Sequence, residues 1–391
     1  MARGDAGIAP APRHLRRPTG RFRARRPRPL VAHPPRQPRR KSLNRAGLIQ
    51  CIGPCAGCFV SGWRGLIPTS DFVGYSLQTF AKFVKCQSRQ QSSSMSELDL
   101  LRGAYCPLIV PFSDENIDFN TYGKLIERQI AEGTHGLLVN ATSGEPTMLT
   151  VEERGQLVEF AIKVSNGRRP VCAGTASESF EATAALIDRF DKAGADSILV
   201  VTPFYSVPPQ RGAVAYFGKL GSRTERPFLI YHIPGRTGFA LTVDTLEAIK
   251  EHVPHFAGLK NTDTDVGLVA GALRRLGRDF RIFAGLELPS LPMLSVGGCG
   301  MMITASNVAP RLVAGLYETF AKGDIDGATT LNLKLYPLFR GVALESSPIP
   351  VKYMLKRLGV LKANEHRLPL VPASPDVEKQ LDKVLAELGM V

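Results

Sequence analysis

FAGLKNT, residues Phe256 to Thr262, sets a lysine inside a short apolar run that otherwise reads as a strand buried within a sheet. An unpaired ammonium costs several kcal/mol to bury, so an interior lysine must be paired, neutral or exceptional. Either the side chain snorkels to water from a strand end, or it is an amine kept neutral so that it can attack a carbonyl.

Seven further runs of the same kind surround it: PLIVPF (107–112), GLLVNA (136–141), PVCAGT (170–175), SILVVTP (197–203), FLIYHIP (228–234), RIFAGL (281–286) and GMMITA (300–305). Segments with helical spacing lie between them, such as TYGKLIERQIAEG and TVEERGQLVEFAIKVSNG, each with glycine near its C-terminal end. Thr150 followed by Glu153 is a capping-box pattern. Eight alternating units predict an α/β chain folded as a closed (β/α)8 TIM barrel, more than an open doubly wound sheet. The barrel is expected over 95–320, and the surplus helical segments of 321–391 as a C-terminal helical extension.

Charge divides the chain. Residues 1–94 carry eighteen Lys and Arg against Asp5 and Asp71, whereas the remaining residues hold 31 bases and 33 acids. The basic pI therefore belongs to the leader, and the body has no excess of positive charge to attract nucleic acid. Residues 1–41, rich in Arg and Pro, have too few periodic apolar residues to bury a core and read as disordered. An Arg-rich leader can be an organellar targeting segment, although its prolines oppose the amphipathic helix such signals use. The favoured reading is that 1–94 is not translated, because Met95 opens MSELDLLRGAYCPLIVPF directly ahead of the first strand. CIGPCAGC, Cys51 to Cys58, has a spacing able to hold an iron–sulfur cluster, but no barrel of its own fits in the leader, so the spacing reads as accidental. The body cysteines, Cys106, Cys172 and Cys299, are isolated and suggest a reducing compartment. No apolar run is long enough to span a membrane.

Barrel active sites gather at the C-terminal ends of the strands. There the second strand is followed by Thr142-Ser143-Gly144-Glu145, a turn rich in hydroxyl and N–H groups suited to a small carboxylate. The fourth is followed by Pro203-Phe204-Tyr205. The fifth carries Tyr231 and then Pro234-Gly235-Arg236-Thr237-Gly238, and the sixth carries Lys260. Each alone has a dull explanation in turns, packing or solvated charge. Their joint placement at one end of one barrel is the informative fact.

ATSGE, YHIPGRTG and GLKNT, in this order, resemble the dihydrodipicolinate synthase and N-acetylneuraminate lyase superfamily of pyruvate-dependent class I aldolases. The resemblance covers the body and none of the leader. It implies that Lys260 forms a Schiff base with pyruvate, that Tyr231 is the acid–base, and that Thr142 and Tyr205 relay its proton, Tyr205 reaching a neighbouring subunit's site. It further implies that Thr142, Ser143, Gly144 and Ile303 bind pyruvate and that Arg236 holds the second substrate's carboxylate. Physical chemistry is compatible, because an amine desolvated among apolar neighbours is partly neutral and so nucleophilic.

Arg236 sides with condensation of pyruvate and L-aspartate 4-semialdehyde to 4-hydroxy-tetrahydrodipicolinate, a lysine and diaminopimelate precursor. Two departures, NATSGEP where the family more often has GTTGES and Asn-Thr-Asp-Thr-Asp after Lys260, keep open a sibling aldolase or dehydratase acting on another aldehyde or keto-acid sugar. The resemblance implies no metal or organic cofactor, a cytoplasmic homotetramer, and small-molecule partners (pyruvate and an aldehyde). A barrel serving only as scaffold for a nucleic-acid-binding arm is the competing class. The arm has Phe22 as its one aromatic within the first forty residues, too few to stack bases, so neither nucleic acid nor a membrane is an expected partner.

Lysine-inhibited members carry histidines after the second-strand motif, where this chain reads TMLTVEER. Feedback is therefore expected to be weak or missing. Sub-millimolar L-lysine should leave the initial rate unchanged, and inhibition in that range would overturn the reading.

Overall fold

A computed structural model of the chain describes residues 97–391. The leader, the Met95 start and the CIGPCAGC spacing lie outside the described residues. Eight parallel strands form a closed barrel: β1 Gly103–Pro107, β2 Gly136–Val139, β3 Val171–Gly174, β4 Ser197–Val201, β5 Phe228–His232, β6 Phe256–Asn261, β7 Arg281–Ala284 and β8 Gly300–Met302. The ring closes where β1 pairs with β8, Tyr105 opposite Met302, and with β2, Tyr105 opposite Gly136. Closure leaves the barrel sheet without an edge, and helices cover the outside, so the strands are buried on both faces and read as continuous apolar runs.

The helices are α1 Phe119–Ala131, α2 Val151–Ser165, α3 Phe180–Ala193, α4 Gln210–Gly221, α5 Val243–His252, α6 Val266–Leu276, α7 Ser290–Ser295 and α8 Pro310–Ala321. Their starts follow local chemistry. Asp118 accepts from the Thr121 N–H at 2.9 Å. Thr150 and Glu153 form the full capping box, each side chain accepting from the other's backbone N–H at 3.1 and 2.8 Å. After α8 come α9 Ile325–Gly341, α10 Ile349–Arg357 and α11 Pro375–Glu387. Among the described residues no helix is long and apolar enough to cross a membrane.

The first strand lies four residues upstream of the expected run. GAYCP pairs in the barrel, whereas Leu108 to Pro111 are buried loop, and Phe112–Ser113 form a small hairpin with Asn116–Ile117. Apolar composition reported burial here, not strand. The loop is tolerated inside because the Ile109 N–H donates to Asn307 Oδ1 at 3.2 Å and Asn307 Nδ2 donates to the Pro107 carbonyl at 2.9 Å.

Side chains alternate between an outer shell, packed under the helices, and a barrel interior floored by Tyr105, Leu138, Cys172, Leu199, Leu229, Phe283 and Met302. Tyr105 meets Phe283 edge-on, with ring centroids 5.3 Å apart. On β6 the alternation breaks. Phe228 pairs with Phe256, but the next β5 residue, Leu229, pairs with Gly258, so Ala257 is an extra residue. Ala257 faces the interior; regular alternation from it would turn Lys260 outward. The bulge resets the phase, so Leu259 joins the outer shell and Lys260 returns inward, opposite Tyr231.

Only glycine fits the bulge. A Cβ on Gly258 would lie 1.8 Å from the Arg281 carbonyl oxygen of β7. Gly258→Ala is expected to cost about 1–3 kcal/mol in urea unfolding, the range for overpacking a tight interior. A wild-type midpoint would show that the strand has slack.

Candidate active site

Lys260, 3% exposed, projects from β6 into the C-terminal half of the barrel, its Nζ 4.1 Å from the centroid of the Tyr231 ring on β5. Tyr231 is itself buried, and its hydroxyl lies 3.1 Å from Thr142 Oγ1. Thr142 opens a turn, Thr142–Gly144, that runs directly off β2. Three sequence-distant groups thus converge at the ends of β2, β5 and β6.

The hydroxyls continue around the rim. Ser143 Oγ lies 3.3 Å from Thr304 Oγ1 beyond β8. Glu287, after β7, accepts from the Thr304 and Ala305 N–H groups at 2.8 and 3.3 Å, which ties the β8 exit to the same cluster. Burial raises the Glu287 carboxyl above its ordinary pKa, against the opposing pull of backbone N–H groups and Lys260. For Tyr231, burial alone would raise the phenol. The positive charge of Lys260 and hydrogen bonds with Thr142, Lys260 and Thr262 outweigh it, so Tyr231 is held below the usual tyrosine value. A phenol so placed can lose and regain a proton beside an amine.

His232, next to Tyr231 but facing outward, is structural. Its Nε2 accepts the Leu241 N–H at 3.2 Å, which leaves Nδ1 to donate to Asn261 Oδ1 at 2.7 Å, and burial lowers its pKa, so the ring is neutral. The pair locks β5 to β6 one residue beyond Tyr231 and Lys260.

Of the residues expected at the site, Lys260, Tyr231, Thr142, Ser143 and Gly144 come together, and Gly144 is buried at the turn. Arg236 sits in a helical turn after β5, exposed, lining the same pocket as Thr142, Tyr231 and Phe204, with no carboxylate partner among the described residues. Ile303 follows β8, its side chain buried in the outer shell, so its backbone is what it can offer the pocket. Tyr205 is not brought to the cluster within the chain: it is 97% exposed, with φ +65° in the left-handed region.

Sequence reading missed Thr262, Glu287 and Thr304. It also passed over a buried group behind the turn, where Lys352 of α10 pairs with Glu145. Lys352 lies in PIPVKYML, the same anomaly of a lysine in an apolar run that singled out Lys260. A separate cleft, lined by Glu225, Lys250, His255 and Asp279, opens where β5 to β7 begin, at the opposite end of the barrel.

Residues 100–388 match the model of the dihydrodipicolinate synthetase family. The chain is 38% identical to the 4-hydroxy-tetrahydrodipicolinate synthase of Oleidesulfovibrio alaskensis over 74% of its own length and 99% of the relative's. It is 36% identical to the enzyme of that name from Rhizobium meliloti, over 75% and 100%. Among solved structures it resembles dihydrodipicolinate synthase from Aquifex aeolicus, with a TM-score of 0.72 and 34% identity over 74% of this chain and 98% of that one.

The hydrogen bond to Thr142 gives a direct test of the electrostatics. In Thr142→Val, Tyr231 should ionise at a higher pH than in the wild type, read by NMR titration of ring-labelled tyrosine with Tyr231→Phe for assignment. An unmoved titration would remove Thr142 from the proton path.

Proposed function

The chain belongs to the dihydrodipicolinate synthetase family, and from that premise we propose that it is a Schiff-base lyase, a 4-hydroxy-tetrahydrodipicolinate synthase condensing pyruvate with L-aspartate 4-semialdehyde. The observation that carries the assignment of roles is the Lys260–Tyr231–Thr142 cluster at the C-terminal mouth of the barrel.

Lys260 Nζ attacks the keto carbon of pyruvate and water leaves, forming an imine. Once protonated, the imine is an electron sink, so a methyl proton departs and an enamine forms. The enamine carbon attacks the aldehyde of the second substrate, making the carbon–carbon bond, and the amino group of that substrate then displaces Lys260 from the imine carbon, closing the ring and freeing the enzyme. Tyr231, with its lowered pKa and its bond to Thr142, moves the protons. Ser143 and Gly144 receive the pyruvate carboxylate with Thr142, together with the backbone at Ile303. Arg236, with no carboxylate partner among the described residues, takes the carboxylate of the semialdehyde in a charge-assisted pair.

Tyr205 completes the relay from a second copy of the chain. Its support is physical: a fully exposed aromatic held at positive φ is costly alone and is suited to insertion elsewhere. We extend this to a homotetramer, and place the enzyme in the cytoplasm, where the free thiols Cys106, Cys172 and Cys299 remain reduced.

The test is turnover of pyruvate with aspartate semialdehyde by the full chain, coupled to an NADPH-dependent reductase. Lys260→Ala should lower kcat by roughly 10³-fold or more and abolish borohydride trapping of pyruvate, as loss of a covalent nucleophile does. If Lys260 traps pyruvate but the semialdehyde is not consumed, the lyase mechanism stands and the second substrate is a different aldehyde.

A further inference from the structure

Immediately after the turn Thr142–Gly144, Glu145 adopts φ +53° in the left-handed region, and its N–H closes the turn by donating to the Thr142 carbonyl at 3.2 Å. A non-glycine residue held there stores about 1–3 kcal/mol of strain, which something must offset. The side chain shows what does. The Glu145 carboxylate, 1% exposed, forms an ion pair with Lys352 of α10, also 1% exposed, and lies 3.5 Å from His366 Nδ1.

The surroundings leave Lys352 few other choices. Its Nζ donates to the Glu365 carbonyl at 2.8 Å and stands 4.3 Å from the centroid of the Phe112 ring. Arg367, the neighbour of His366, donates to both oxygens of Glu153 at 2.7 and 2.9 Å and to the Met148 carbonyl at 3.2 Å. Lys352 of α10 and His366 and Arg367 of the segment between α10 and α11 thus grip the stretch from Glu145 to Glu153 at both ends. Burial pulls Lys352 down to about 8, with Glu145 opposing, while His366 and Lys352 overcome burial to hold Glu145 below the usual carboxylate value.

A buried ion pair is weak evidence for stability, since apolar side chains of similar volume often do as well or better. What the pair supplies is direction. Resting on the reading of the Thr142–Gly144 turn as the pyruvate carboxylate site, we propose that Glu145 and Lys352, backed by His366, are positioning residues for pyruvate. The pair holds the turn in the conformation that receives the carboxylate, and it neutralises an anion that lines the same pocket and would otherwise repel the substrate.

The experiment compares Lys352→Met, Glu145→Gln and the double variant with the wild type, measuring kcat and KM for pyruvate, borohydride trapping and thermal melting. Lys352→Met leaves the Glu145 anion uncompensated, and KM for pyruvate is expected to rise about tenfold or more, with kcat within about threefold, the signature of lost ground-state binding. Glu145→Gln keeps the shape but loses the direction, and a rise of about threefold is expected; this variant carries the test where Lys352→Met does not fold. The double variant, with no buried anion, should recover most of the Lys352→Met defect. Arg357→Ala, which breaks the exposed pair of α10 with Asp382, should leave KM unchanged. Melting temperatures that fall while KM for pyruvate stays at the wild-type value would overturn the inference, as would a double variant no better than Lys352→Met. A wild type that does not trap pyruvate would overturn the substrate reading and this inference with it, an outcome distinct from the other two.

Discussion

Everything chemical in this barrel depends on one misfit in its wall, the extra residue at Ala257 on β6. A closed parallel barrel otherwise enforces strict alternation, in which each strand shows every second side chain to the interior. Ala257 spends one inward position, and the bulge returns the next useful one to Lys260 at the level of Tyr231. The carbonyl of Arg281 presses against Gly258 so closely that no side chain can occupy the position. The two strands are then held together just above by the hydrogen bond of His232 to Asn261, and the Leu241 N–H that His232 Nε2 accepts fixes the imidazole as neutral. Lys260 and Tyr231 are thereby bracketed, with a glycine bulge below them and a polar lock above them, and both sit on strands of the barrel wall.

The interior is graded along the barrel axis. Its lower part is largely apolar, closed by Tyr105 and Phe283, while Thr142, Ser143, Thr304 and Glu287 gather three hydroxyls and a carboxylate at the C-terminal rim. This grading sets opposite effects on neighbouring acids. Tyr231 is drawn down because a positive charge and hydrogen-bond donors face it. Glu287 is pushed up because burial outweighs the N–H groups it accepts from. Two acids that both feel the charge of Lys260 are thus shifted in opposite directions, the phenol down and the carboxyl up.

Much of this was legible in sequence because it is local. Runs such as SILVVTP and FLIYHIP are long enough and β-branched enough to declare strands, and the Thr150–Glu153 box declares a helix start. Lys260, Tyr231 and Thr142 could be read because a barrel brings strand ends together whatever lies between them. PLIVPF misled because burial and strand are different properties: the ladder ends with the Leu108 N–H on the Leu138 carbonyl, and beyond it the Ile109 N–H is satisfied by Asn307, some 200 residues away. Tyr205 stands beyond a strand end in the sequence, yet among the described residues it is 97% exposed and apart from the cluster. Glu287, Thr304 and His366 carry no local signal at all, since their meaning comes only from contacts between sequence-distant segments: the exits of β7 and β8, the turn after β2, and the stretch between α10 and α11.

Lys352 is the instructive omission, since it stands in an apolar run as Lys260 does. The two differ in what faces the nitrogen. Lys352 meets a carboxylate head-on, with a carbonyl and an aromatic ring filling its other sides, so its charge is matched and its position determined. Lys260 meets a phenol and the face of its ring, and forms no ion pair with a carboxylate among the described residues. A fully paired lysine can orient its neighbours but is too well satisfied to react; an under-paired one is available to form a bond. An interior lysine in a strand or helix is therefore a question about counter-charge more than about burial, and the answer lies in whichever distant segment the fold delivers to its tip.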